Sequence, residues 1–251
     1  MKHTTLNRRH GLDTLRGITL ISMIAYHACW DLVYMFGKDW SWYRSDGAYL
    51  WQQSICWTFI LLSGYCWSMG RHRLRRGLMA FGGGVIVSVV TLFTMPDCPV
   101  ICGVLTLLGS AAILTIPLES AWKKIPSRAG LAGSFLLFLL LRDVNSGYLG
   151  FEGMRFAAVP RALYSNYFTA YLGFPQAGFA SSDYFPLLPW IFLFWTGYFL
   201  RRVQLDAGAQ STWEPRLPVV TFLGRHSLIV YLLHQPLIYG VLMGMNLLGW
   251  L

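Results

Sequence analysis

The stretch that decides the fold is residues 13–31, DTLRGITLISMIAYHACWD. It opens with two charged side chains, Asp13 and Arg16, and continues as an almost wholly apolar run in which one histidine, His27, is embedded. Such a run is long enough to form a helix across a bilayer. Ten residues separate Arg16 from His27, so the two side chains lie near one helix face, roughly 16 Å apart along the axis.

The pair formed by His27 and Asp31 is the most unusual feature of this predicted helix. The two residues are four apart in sequence, a spacing that places them on one helix face, where they can touch. Ionisable side chains inside a membrane helix are costly, and their presence therefore indicates a function. The alternative is structural: His27 would bond a neighbouring helix and Asp31 would reach the lipid headgroups. Arg16 and Asp31 at helical spacing from His27 favour a functional site.

The composition is that of a membrane protein. Of the 251 residues, 55% are hydrophobic and 12% are charged, which is about half the charged fraction of a soluble domain. The 11 Trp and 13 Tyr are typical of residues at membrane interfaces. A net charge of +9 can indicate nucleic-acid binding, but here the basic residues cluster at the ends of apolar runs. We therefore predict a lipid bilayer as partner and no nucleic acid.

The cysteines give little indication of a metal or a disulfide framework. Cys98 and Cys102 flank Pro99, without a second pair or a nearby histidine, so no zinc site is predicted. Whether these two cysteines form a disulfide is left open by the sequence.

The apolar runs predict an all-α integral membrane protein, a bundle of about seven transmembrane helices in a single domain covering residues 1–251. Pro96 ends the third helix, because proline cannot continue it. Residues 217–223 are predicted to be interfacial. The predicted helices cover approximately residues 12–36, 49–69, 77–94, 101–118, 129–141, 184–200 and 225–248.

The distribution of basic residues predicts the orientation. With a cytoplasmic N-terminus, five basic residues lie on the outer side: Lys38, Arg44, Arg142, Arg155 and Arg161. The other 15 of the 20 lie in cytoplasmic segments: Lys2, Arg8, Arg9, Arg16, Arg71, Arg73, Arg75, Arg76, Lys123, Lys124, Arg128, Arg201, Arg202, Arg216 and Arg225. This asymmetry follows the positive-inside rule. We predict a multi-pass protein of the cell's inner (cytoplasmic) membrane.

Residues 142–183 break the helical pattern. The segment is too polar to span the membrane as a simple helix and too aromatic for a disordered linker. Long ordered loops in compact domains usually act as lids or binding loops. We therefore predict a functional loop on the non-cytoplasmic side.

The last predicted helix carries a second polar group. Ser227, Tyr231 and His234 share one face, and Gln235 follows directly. Pro236 frees a backbone carbonyl one turn earlier, which suits a helix that lines a cavity. His234 is either a structural hydrogen-bonding residue or part of a site, and the sequence leaves both open.

The charged and polar residues together suggest a chemistry. Arginines bind phosphate oxygens in a bidentate manner, so the basic groups at the cytoplasmic ends of the helices would together suit a polyphosphate ligand. Taken one at a time, each basic group could instead serve only to set the membrane topology. Histidine is the usual general base at neutral pH, and a neighbouring carboxylate fixes its tautomer. The pattern predicts a base that serves a phosphorylated donor entering from the cytoplasm.

Several motifs resemble those of one known family, the heparan-alpha-glucosaminide N-acetyltransferase-like family of the transmembrane acyltransferase superfamily. The first is residues 12–17, LDTLRG, followed by His27 and Asp31. The others are residues 59–64, FILLSG; residues 184–202 with the core FPLLPW; and residues 223–238 with GRHSL and LHQP. The order and spacing of these motifs cover nearly the whole chain.

The resemblance implies an acyltransferase whose donor is acetyl-CoA or another acyl-CoA, bound from the cytoplasm, and whose acceptor is a sugar or cell-envelope glycan. The spacing of Arg16 and His27 resembles the arginine–histidine pattern of the superfamily's bacterial acyltransferases. It implies that His27 is the catalytic base or a transient acyl carrier, with Asp31 beside it. The predicted CoA-binding residues are Arg16, Arg71, Arg73, Arg201 and Arg225. The predicted acceptor-binding residues are His234, Gln235, Tyr231, Trp190 and Glu152, and no metal is predicted.

Two departures from the family and two alternative functions remain. The loop 37–48 lacks the histidine of the animal enzymes, so heparan sulfate is not the predicted acceptor, and Thr106 stands where many bacterial relatives have histidine. A partner or a second copy of the chain could complete the acceptor site. The first alternative is a small proton-coupled transporter or flippase for an amphipathic solute, with Arg16, His27 and Asp31 as a proton relay. The second is a non-catalytic membrane subunit.

Overall fold

The computed structural model describes residues 10–209, 215 and 217–251. Four of the basic residues used to predict the orientation, Lys2, Arg8, Arg9 and Arg216, lie outside the described residues. The chain divides into two compact units, one containing the described residues up to Phe59 together with those after 210, the other containing Ile60 to residue 209.

The first unit contains two long helices, α1 (His10–Tyr34) and α9 (Ser227–Leu247), and the short helix α8 (Pro218–Arg225). Helix α2 (Asp46–Trp67) begins in this unit, after a 3₁₀ turn at Ser41–Arg44, and its last residues belong to the second unit. Proline stands at the start of α8, a position where its missing N–H is not needed.

Glycines let α8 lie directly on α1. A Cβ added at Gly17 would be 2.0 Å from the carbonyl oxygen of Val220, and one added at Gly224 would be 1.8 Å from that of Asp13. The two backbones can approach this closely only because neither glycine has a side chain. A hydrogen bond of 2.8 Å between the hydroxyls of Thr14 and Thr221 then joins the buried faces of both helices.

The second unit is a set of longer helices with a small sheet. Its helices are α3 (Arg73–Thr94), α4 (Val104–Trp122), α5 (Ser127–Leu140) and α7 (Leu187–Asp206). Between α5 and α7 the chain forms the antiparallel strands β1 (Tyr148–Phe151) and β2 (Met154–Ala158) and the six-residue helix α6 (Tyr167–Leu172).

Close glycine contacts also join the helices of the second unit. A Cβ at Gly64 near the end of α2 would be 1.8 Å from the carbonyl oxygen of Phe194 in α7, and one at Gly109 of α4 would be 2.4 Å from the backbone nitrogen of Phe81 in α3. Small residues at helix interfaces are typical of proteins packed within lipid.

The protein is mostly helical and carries membrane helices. Among the described residues, α3, α4 and α9 are long and apolar enough to cross a bilayer, and α5 is apolar but shorter. Helices α1, α2 and α7 are as long, but they contain more aromatic side chains. Seven crossings therefore remain a prediction, although each predicted crossing overlaps a helix; six of these helices are long and the other is the 14-residue α5. Cys98 and Cys102 are free thiols.

Candidate active site

Two histidines from opposite ends of the sequence face each other within the first unit. The ring centroids of His27 on α1 and His234 on α9 are 4.8 Å apart, with the ring planes inclined at 62°. The sequence predicted roles for both residues separately and gave no indication that they meet. Their contact follows from the packing of α9 along α1.

The carboxylate of Asp31 is bonded to Gln235. The Gln235 amide Nε2 donates to Asp31 Oδ1 at 2.5 Å, and Asp31 is fully buried. Helical spacing predicted contact between Asp31 and His27, yet the hydrogen-bond partner that Asp31 has in the described part of the chain comes from α9. A buried carboxylate needs such a donor, because desolvation without a partner is costly.

The ring of His234 has a defined tautomer. Its Nδ1 lies 2.5 Å from the backbone carbonyl oxygen of Tyr231. A carbonyl can only accept a hydrogen bond, so Nδ1 carries the proton and Nε2 of the neutral ring is the acceptor. The ring of Tyr231 packs against the same imidazole at 5.2 Å.

Three buried acceptor atoms near this contact have no hydrogen-bond partner among the described residues: Asp31 Oδ2, His234 Nε2 and Gln235 Oε1. Buried polar atoms are nearly always bonded, and leaving one unpaired costs about 1–3 kcal/mol. Since all three atoms accept, a ligand that satisfies them must bring N–H or O–H groups.

An aromatic cluster begins beside His27. Tyr26 makes an edge contact with His27 at 6.1 Å and another with Trp51 of α2 at 5.2 Å. The hydroxyl of Tyr43 donates to the carbonyl oxygen of Tyr26 at 3.1 Å. Burial raises the pKa of Tyr43, so this hydroxyl stays protonated and remains a donor.

A charged cluster lies at the first turn of α1. Asp13, only 5% exposed, accepts from Arg16 Nη1 at 3.1 Å and pairs with Arg225 Nε at 3.5 Å. Arg225 also bonds His10 Nδ1 at 2.8 Å. Two predicted CoA-binding arginines are thus brought together, and the carboxylate between them is a partner that the sequence analysis did not assign.

The three predicted CoA-binding arginines of the second unit differ in their surroundings. Arg71 is exposed. Arg73 pairs with Glu119 at 2.7 Å and lies over the Trp67 ring at 4.3 Å.

Arg201 is 8% exposed, donates to Gln204 at 3.0 Å and lies over the Tyr65 ring at 5.6 Å. Its Nε has no hydrogen-bond partner, and no carboxylate pairs with it, within the part of the chain that the structure describes.

The remaining predicted acceptor residues, Trp190 and Glu152, belong to the second unit and are linked through Arg142. The guanidinium of Arg142 lies 4.9 Å over the buried Trp190 ring, and its Nε pairs with Glu152 at 3.1 Å. Tyr231, His234 and Gln235 lie in the first unit. The predicted acceptor residues therefore form two groups, one in each unit.

The fold and this site define an α-helical membrane protein with paired histidines and a buried carboxylate on facing helices. A family model described as "Heparan-alpha-glucosaminide N-acetyltransferase, catalytic" matches residues 8–236. The chain belongs to this family of membrane acetyltransferases, which confirms the resemblance seen in the motifs. The matched range contains His27, Asp31, His234 and Gln235. Comparison with curated proteins and with solved structures gave no match.

Proposed function

We propose that this protein is an integral-membrane acyltransferase that moves an acetyl or other acyl group from cytoplasmic acyl-CoA to a sugar or cell-envelope glycan. The observation that carries the proposal is the contact of His27 with His234 beside three buried acceptor atoms that have no hydrogen-bond partner among the described residues. Family membership supports the class of reaction.

The unpaired acceptors are suited to the acceptor substrate. The acyl thioester brings a carbonyl oxygen and a sulfur to the reaction and no N–H or O–H group. A hydroxyl or amine can donate to Asp31 Oδ2, His234 Nε2 or Gln235 Oε1. These three residues would therefore hold the nucleophilic end of the acceptor next to His27.

In this mechanism His27 is the general base. It takes the proton of the acceptor hydroxyl or amine while that oxygen or nitrogen attacks the thioester carbonyl, and the imidazolium returns a proton to the departing CoA thiolate. Asp31, one helical turn away, stabilises the imidazolium as it forms. General-base catalysis contributes about 10²–10⁴-fold. A larger loss on removal of His27 would favour a covalent acyl-histidine, in which the acyl group first moves to the imidazole.

The donor would be recognised by its phosphates. Arg201 is the strongest candidate, because it is buried and has no carboxylate partner among the described residues. Arg16 and Arg225 share one carboxylate between two positive charges, so a net positive charge remains there for a phosphate. Arg71 and Arg73 would contribute less, one being exposed and the other paired with Glu119.

The test is replacement of His27 in the purified protein. His27→Ala and His27→Asn should both abolish acyl transfer, because neither side chain can accept the proton, while CoA binding is retained. His72→Asn is a matched control: His72 is exposed and has φ of 55°, a conformation that asparagine tolerates. Near wild-type turnover by His27→Ala would overturn the proposed role.

The same purified protein can be used to distinguish the transporter alternative from the transferase. Two histidines in contact beside a buried carboxylate would also suit a proton relay. Proton-coupled solute flux in proteoliposomes without acyl-CoA turnover would select transport, whereas acyl-CoA turnover lost in His27→Asn supports the transferase.

A further inference from the structure

The segment between α5 and α7 exposes large apolar side chains. Every residue of β2 is exposed, including Met154 at 58% and Phe156 at 68%. Tyr167 and Phe168, at the start of α6, are 65% and 69% exposed. A hairpin in water usually buries one of its faces, and β2 has both faces open.

The segment is nevertheless held firmly at the helix ends of the second unit. Leu141, directly after α5, forms a bridge with Gly150 of β1. The Tyr164 hydroxyl donates to the carbonyl oxygen of Val144 at 2.5 Å, and the Tyr184 hydroxyl donates to that of Ala170 at 2.6 Å. The exposed side chains are therefore carried by an ordered element, so their exposure is a fixed property of this surface.

The length of α5 places this element at the depth of the membrane surface. Helix α5 has 14 residues, which gives about 21 Å at 1.5 Å per residue. The hydrocarbon core of a bilayer is about 30 Å thick. The residue directly after this helix, Leu141, bridges to Gly150 of β1. A hairpin held at the end of such a short helix lies close to the hydrocarbon boundary and cannot stand far out in water.

The charge of the segment fits the same location. From residue 153 to residue 182 the sequence has no acidic residue and two basic ones, Arg155 and Arg161, both exposed. The same thirty residues include seven aromatic ones. Arginine with aromatic and apolar side chains is the composition of elements that lie in the headgroup region of a membrane.

We infer that the β1–β2 hairpin and the start of α6 lie in the interfacial region of the bilayer, with Met154, Phe156 and Phe168 in contact with lipid. Arg155 and Arg161 then lie at the level of the headgroup phosphates. On this inference the segment is a lateral membrane contact of the second unit, and the lid role predicted from its sequence is not required.

Photocrosslinking in the full-length protein tests this contact. The photoreactive residue p-benzoylphenylalanine, which resembles phenylalanine, is incorporated in place of Phe156, and the protein is reconstituted in vesicles of phosphatidylcholine and phosphatidylglycerol. Phe93, 85% exposed on the apolar helix α3, gives the positive control. Asp97, an exposed polar residue in the turn after α3, gives the comparison position in the same unit.

After illumination, mass spectrometry of the protein distinguishes the outcomes. Position 156 is expected to give a lipid adduct in a yield similar to that at position 93 and several times that at position 97. Crosslinked dimers at position 156 would show that a second copy covers the hairpin and would overturn the inference. A yield at 156 no higher than at 97, with an adduct at 93, would show a water-facing hairpin and would also overturn it. Neither result bears on acyl transfer.

Discussion

The buried carboxylate of Asp31 has one oxygen bonded to Gln235, and its other oxygen has no hydrogen-bond partner in the described part of the chain. Asp31→Asn keeps an oxygen that can accept from the Gln235 amide but removes the negative charge. Because the carboxylate stabilises a charged imidazole and does not itself take the proton, we expect acyl transfer to fall by less than in His27→Ala, with CoA affinity unchanged. Steady-state rates and calorimetric CoA titration of both variants check this, and equal loss in the two would contradict it.

Gln235 itself should matter for stability. Gln235→Met removes the donor and leaves Asp31 buried without its hydrogen bond, which costs about 1–3 kcal/mol. We expect a lower thermal midpoint for Gln235→Met in detergent. The matched control Gln235→Glu, with its carboxyl protonated, can still donate to Asp31, and should fall less. Equal midpoints for wild type and Gln235→Met would mean that the bond adds nothing to folding.

Arginines with and without carboxylate partners should differ in donor binding. Arg201→Ala removes a buried guanidinium whose Nε has no hydrogen-bond partner within the residues that the structure describes. The loss of a charged hydrogen bond to the donor, about 1.5–3 kcal/mol, corresponds to CoA binding about 10–150-fold weaker. Arg73→Ala removes a side chain already paired with Glu119 and should change CoA affinity little. Arg201→Lys keeps the charge without the planar fork and should be intermediate.

Calorimetric titration with CoA measures the affinity of all three variants. Equal affinities for wild type and Arg201→Ala would show that this arginine serves only the topology or the fold, and the donor contacts would then be sought at Arg16 and Arg225.

At the scale of elements, α8 depends on glycine for its place on α1. Gly17→Ala would put a methyl group 2.0 Å from a backbone carbonyl, and overpacking of this kind costs about 1–3 kcal/mol or more. A Cβ at Gly240 on α9 would meet no atom of another described element within 4 Å, so Gly240→Ala should be neutral or slightly stabilising. Thermal unfolding of the two variants in one detergent gives the comparison, and a Gly17→Ala midpoint equal to that of Gly240→Ala would contradict it.

The helices were predictable from the sequence because their signals are local. The predicted first helix, 12–36, corresponds to α1 (His10–Tyr34), and the predicted third, 77–94, ends at Thr94 as α3 does. The hairpin was not predicted, since the short strands of residues 148–158 carry no clear alternating pattern. Residues 217–223, predicted to be interfacial, form most of α8, which packs on α1 through Thr221 and Gly224.

The residues of the candidate site were predictable from the sequence, but their contacts were not. The sequence indicated His27 with Asp31 on the first helix and His234 with Gln235 on the last, because polar groups are unusual in apolar helices. Their pairing joins residues about two hundred positions apart, and no local pattern encodes which helix faces which. The role of Asp13 between two arginines was missed for the same reason, although its place in the first turn of the helix was visible.

At the scale of the whole molecule, both units contain the same kind of helix packing. Backbone contacts at glycines join α1 to α8 in the first unit and the end of α2 to α7 in the second. Polar side chains then bond across the packed helices, as in the pairs Thr14–Thr221 and Ser134–Thr196. Within lipid, where apolar burial between helices gains little, such packing and hydrogen bonds provide the association.

The orientation of the chain in the membrane is the prediction that links this architecture to the donor. The basic residues concentrate after α2, at Arg71–Arg76, and between α4 and α5, at Lys123 and Lys124, and basic segments remain in the cytoplasm. Reporter fusions after Arg76 and Lys124 should therefore be active as cytoplasmic reporters, and fusions after Asp39 and Asn145 as external ones. An external signal after Arg76 would reverse the orientation. Arg201, at the far end of α7 from the hairpin, would then face away from the cytoplasm, where acyl-CoA is made, and the proposed donor entry would fail with it.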